Sequence, residues 1–177
     1  MNEYQRSNYW ERKSADYEKT YKKFKGVPQP KITGVNGEVH LFPKEARVEF
    51  SGIYLMKNKT DSVIDTIHAN FNRRMPYSTF KWSRPYQNVF SDSAYGWDMF
   101  LFDPPIKPGE NFSLEFSGER SRTGFSNDGV SRTVVENGTM IWSGDLFPTF
   151  GYNPEKELSS KRTRKKHGLS ENQDPML

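Results

Sequence analysis

The side chains that could do chemistry are few in this sequence, and their spacing argues against most of it. There are three histidines, His40, His68 and His167, and no cysteine. A helical zinc site of the His-Glu-x-x-His type needs two imidazoles at i and i+4 on one face, with the intervening glutamate as base. None of these histidines is followed by Glu, and none stands four residues from another. Without cysteine, thiolate metal ligands, disulfides and a thiol nucleophile are closed to the chain. His40 and His68 read as partly exposed strand residues rather than ligands. The carboxylate pairs Asp61/Asp65 and Asp92/Asp98 have the types for acid–base work or calcium, but they lie in turn-rich sequence without EF-hand spacing, where such residues cap turns. Ser117 and Ser126 lack a Gly-x-Ser-x-Gly elbow, and no glycine loop has phosphate-cradling spacing. Asn-x-Ser/Thr sequons at Asn58, Asn111 and Asn137 would matter only in a eukaryotic secretory route.

Rings stand out instead. Trp142, Phe147, Pro148, Phe150 and Tyr152 gather within eleven positions. One reading has them closing an end of the core; the other makes them an inter-domain docking surface, since ring-rich patches are common at interfaces.

The elements that must position these residues are mostly strands. In Pro108-Gly109, proline presets φ and glycine supplies the positive φ of a type II turn. Phe112, Leu114 and Phe116 then alternate with Ser113, Glu115 and Ser117, which predicts a strand with one buried face. Period-two runs recur from Glu38 to Phe102, from Thr79 to Trp82, from Tyr95 to Phe102 and from Thr139 to Trp142. Eight to ten short strands punctuated by Gly, Pro, Asn and Asp favour an antiparallel β-sandwich. Aromatics make up 15% of a chain only 33% hydrophobic, so large rings must fill its core. The stretch from Glu119 to Gly138 reads as a long surface loop.

Helices flank this region. From Tyr4 to Lys25 there is neither proline nor glycine, and Trp10, Tyr17, Tyr21 and Phe24 fall on one helical face; the helix should pack on the sandwich by its C-terminal half and end at Gly26. Near the other end, Asn153 can cap, Pro154 suits the first helical position, and Lys161–His167 sits where a helix C-terminus favours basic charge. The net charge of +4 is mild, and the only dense basic cluster has this duller explanation, so no nucleic-acid partner is expected. No run approaches the ~20 apolar residues of a membrane span, and the chain as written reads as soluble.

The proline-rich turn, Gly109-Glu110, the alternating strand and its closing Gly118 together resemble the N-terminal β-sandwich domain of M1-family zinc aminopeptidases. Ala15–Phe24 with Pro28-Gln29-Pro30-Lys31-Ile32, and Phe147–Leu158, resemble the bacterial branch in which an M1 peptidase-like region is fused behind an ABC-transporter permease. The resemblance implies a noncatalytic accessory domain that positions or shields a downstream peptidase-like domain of the same polypeptide. It also implies membrane association only through spans outside this chain, on a side left open, and peptide as a possible ligand. Zinc belongs, if anywhere, to the full-length protein; this chain has no cofactor, no metal site and no catalytic residue, and the Gly-x-Met-Glu-Asn motif of the family is missing. The expected layout is a helix over residues 1–26, the sandwich over 27–152, a C-terminal helix over 153–169 and a linker remnant over 170–177. The alternative is a freestanding extracellular carbohydrate- or protein-binding β-sandwich module, since exposed Trp and Tyr also suit sugar stacking.

Overall fold

In the computed structural model the described residues are 8–72, 76–121 and 143–171. They belong to two units: Pro28–Phe150, and the flanking segments Met1–Val27 and Gly151–Leu177 taken together. The fold is mainly β, as expected, with antiparallel sheets and short flanking helices. In the larger unit the strands are β1 (Lys31–Phe42), β2 (Arg47–Lys57), β3 (Ile64–Asn70), β4 (Tyr77–Trp82), β5 (Tyr86–Asp92), β6 (Trp97–Ile106), β7 (Asn111–Ser121) and β8 (Thr149–Phe150). They form two four-stranded sheets, ordered β1-β2-β7-β4 and β5-β6-β3-β8.

Alternation selects the inner face. On β2, Val48, Phe50, Tyr54 and Met56 are buried while Ser51, Ile53 and Leu55 are exposed; on β7 the predicted Phe112, Leu114 and Phe116 are buried. The second sheet answers with Ile64, Ile67, Ala69, Phe100, Phe102 and Ile106. Trp82 joins the two halves, its ring 5.4 Å from Phe102 and 5.9 Å from Phe112. The core is therefore built from rings meeting edge to face, as the composition requires.

The Pro108-Gly109 turn forms as read. Gly109 has φ +79°, and Glu110 N donates to Lys107 O at 3.1 Å. Buried Asn58 clamps the same turn: its backbone pairs with Gly109 and Glu110, and its side-chain amide donates to Ser62 O and Ile106 O. With its side-chain oxygen accepting from Thr60, Asn58 is spent inside the fold and is no surface sequon. β7 runs to Ser121, three residues into the expected loop; the rest of that loop and the predicted Thr139–Trp142 strand lie outside the described residues.

In the flanking unit, α1 spans Asn8–Tyr21 and is followed by a 3-10 turn, Lys22–Phe24, with Gly26 at φ +89°. α2, a single turn at Ser143–Leu146, belongs to the larger unit, and α3 spans Lys161–Lys166. The expected continuous C-terminal helix is not formed. Asn153 does cap, its side chain accepting from Glu155 N at 2.9 Å, but the turn it starts ends at Lys156. Glu157 is extended, and its buried carboxylate accepts from Tyr152 OH at 3.0 Å.

Candidate functional site

The predicted ring set splits between structural roles. Phe147 lies against Phe50, Tyr54 and Phe116, and Phe150 against Tyr54 and Trp82. Pro148 is buried and its carbonyl accepts from Tyr54 OH; burial pushes that phenol up to about 12. Tyr152, in the flanking unit, stacks on Tyr17 at 5.3 Å. Trp142 lies outside the described residues.

The seat of Phe147 is a pair of glycines. Gly37 on β1 stands opposite Gly52 on β2. A Cβ on Gly37 would meet Phe147 Cζ at 3.2 Å, and one on Gly52 would meet Phe116 Cζ at 2.6 Å. The absent side chains leave a notch in the sheet that two rings, 5.2 Å apart at their centroids, occupy.

On either side of the notch the edge strand β1 is open. Residues directly opposite in an antiparallel pair share a face. Val35, Val39 and Leu41 stand opposite Tyr54, Phe50 and Val48, so they continue the core face. Those partners are 5%, 2% and 2% exposed, whereas Val35, Val39 and Leu41 are 57%, 42% and 44% exposed. The strand begins at Lys31, well before the expected Glu38. Beside its first residues is a cleft of about 310 Å³ lined by Lys31, Ile32, Tyr54, Phe147, Pro148 and Phe150, among others. Three of the five predicted docking residues thus line one cleft at the end of an uncovered apolar strand face. The β1 face itself was missed by sequence reasoning. Its signal was the alternation of Val35, Gly37, Val39 and Leu41, which looks the same whether a second sheet covers the face or not.

The candidate acid–base residues are dispersed. Asp92 caps a turn, accepting from Ala94 N at 2.8 Å. Burial raises the Asp98 carboxyl, against hydrogen bonds from Ser91 and Asn88. Asp61 and Asp65 are exposed. His40 is exposed, but His68 is buried on β3 beside the Trp97 ring, correcting the expectation of partial exposure. Ile67, His68, Ala69 and Asn70 are buried in succession, so both faces of β3 are covered there, and burial lowers the His68 pKa despite Asp65. Among the described residues no cluster of His, Asp or Glu could hold a metal ion, and no helix is long and apolar enough to cross a membrane.

A second polar centre lies in the flanking unit. Arg164 is fully buried and spends all five guanidinium donors: on both carboxylate oxygens of Glu18 at 2.8 and 2.9 Å, and on Leu158 O, Ser170 O and Ser170 Oγ. Lys22 adds a bond to Glu18 at 2.8 Å. Burial alone would raise the Glu18 carboxyl, but the hydrogen bonds from Arg164 and Lys22 outweigh it and hold it below the usual range. Burial raises the Tyr17 phenol to about 12, while its oxygen accepts from Asn153 N at 3.0 Å. Arg164 is therefore a buried staple between the two chain segments, not a solvated charge at a helix end.

No protein-family model matches the chain, and no curated protein matches it. Among solved structures it is similar to a mutant M1 zinc metallopeptidase from Deinococcus radiodurans bound to a Tyr-Ser-Ala substrate, at 12% identity over 52% of this chain and 21% of that one, with a TM-score of 0.40. It is similar also to a two-domain M1 zinc metallopeptidase mutant bound to L-tryptophan, at 13% identity over 61% and 24% of the respective chains, with a TM-score of 0.41. The matched region thus spans about a quarter or less of those peptidases.

Proposed function

We propose that this chain is a noncatalytic β-sandwich accessory unit of a larger M1 peptidase-like protein, in the finer form a bacterial permease fusion, and that it positions or shields the peptidase-like part. The observation that carries the reading is the uncovered core face of β1, with the Phe147–Phe150 cleft at its end. An apolar face of this kind suits a partner surface better than water, and a cleft of about 310 Å³ admits one large apolar side chain of that partner. The motif resemblance of the proline turn and the following strand supports the M1 peptidase-like form of this reading. The sugar-binding alternative loses support from the sandwich's described tryptophans, because Trp82 and Trp97 are buried and present no ring for stacking.

Hydrogen exchange tests the docking face. In the full natural polypeptide the amides of Ile32–Leu41 should exchange more slowly than in the 177-residue chain alone; equal rates would remove the docking surface. Alongside, the isolated chain should neither retain zinc after dialysis nor cleave aminoacyl reporters. Chelator-sensitive turnover would overturn the noncatalytic assignment.

A further inference from the structure

The net positive charge of this chain is concentrated in its flanking unit. Over residues 8–27 and 151–171, Lys and Arg outnumber Asp and Glu by 12 to 6, whereas residues 28–150 hold 13 and 14. Two of those cations, Arg164 and Lys22, are engaged by Glu18. The others include a set with a shared direction. At about 100° per residue, positions i, i+1, i+4 and i+5 of a helix share one side, and on α3 these are Lys161, Arg162, Lys165 and Lys166, all exposed, of which Lys165 pairs with Glu171 at 3.8 Å and Lys166 with Glu11 at 3.0 Å. Arg164 points the opposite way, into the unit.

An exposed indole lies at the same end. Trp10 is 54% exposed, although it shares a helical face with buried Tyr17 and Tyr21. Its sequence neighbour Glu11 accepts from Lys166 Nζ at 3.0 Å, which brings the first turns of α1 beside the basic side of α3. Tyr9 packs edge-on against the indole.

We propose that this basic, tryptophan-bearing end of the flanking unit binds the surface of an anionic phospholipid bilayer. Lysine and arginine heads meet the lipid phosphates while the indole enters the headgroup region, the division of labour found at membrane interfaces. A nucleic acid fits less well. α3 spans six residues, about 9 Å, too short to lie along a groove, and single strands want a row of exposed rings where here Tyr17 and Tyr21 are buried.

Flotation of the whole chain with phosphatidylcholine vesicles, with and without phosphatidylglycerol, tests this. Binding should require the anionic lipid and fade as salt rises. Each basic residue near such a surface contributes roughly fivefold in partitioning, so the variant with Lys161, Arg162, Lys165 and Lys166 all changed to Gln should lose at least about tenfold. Vesicles should also blue-shift the indole emission of the parent, with the shift absent in Trp10→Phe. Salt dependence of the parent stands as evidence even if the quadruple variant misfolds. Salt-independent binding, equal binding by a folded quadruple variant, or tighter binding to duplex DNA that Trp10→Ala leaves unchanged would each overturn the proposal.

Discussion

At the scale of single residues, Arg164 holds the most. All its donors are satisfied and it is the sole bidentate partner described for a carboxylate that is itself buried. Removing one member of such a pair strands the other, so Arg164→Ala should destabilise the flanking unit by about 3–5 kcal/mol, measured by urea unfolding. Replacing Arg164 and Glu18 together by apolar residues should cost much less. The pair also fixes an acid limit. The Glu18 carboxyl titrates below its unfolded value of about 4.3, so its contribution is complete above that pH and is lost as pH falls through the depressed folded value. Glu18→Gln should therefore flatten the acid end of the stability curve while lowering its plateau. An unchanged acid limb would mean that other carboxylates set it.

At the scale of elements, β1 and its neighbour β2 make the test of what is core. Val35→Thr with Val39→Thr should cost well under the ~2–5 kcal/mol expected for Leu114→Ala, since Leu114 is fully buried and the two valines are not. Comparable losses would make the β1 face structural and leave it unfit as a docking site. The buried faces of β2 and β7 were legible in the sequence because alternation and burial coincide on strands with neighbours on both sides. The Pro108-Gly109 turn was legible because its chemistry is local. The openness of β1 was not, because burial of an edge strand depends on what the other sheet reaches, and β8 is only two residues long. His68 was misread for another reason: residues 67–70 are buried in succession, so both faces of β3 are covered, and a period-two reading assigns one of them to solvent. The Arg164 staple joins residues 146 positions apart, beyond any local pattern, so a helix-end role was the best that Lys161–His167 alone could give.

At the scale of the whole molecule, the two units differ in what they are made of. The larger one is close to electrically balanced and held by rings; the flanking one is basic and held by a charged staple at its centre. Within the larger unit, the notch at Gly37 and Gly52 imposes an order of events. It exists only once β1 has paired with β2, a local hairpin, whereas Phe147 arrives from far along the chain. Loop closure of that length comes late, after the contacts that reward it. Phe147→Ala should accordingly speed unfolding and leave the folding rate nearly untouched, a φ-value near zero, while Phe116→Ala, on a strand paired to β2, should slow folding as well. Chevron plots for the two variants separate these behaviours; a slowed folding limb for Phe147→Ala would place its ring in the nucleus. The ring in the notch then acts as a late lock whose loss shortens the lifetime of the folded sandwich rather than the time needed to reach it.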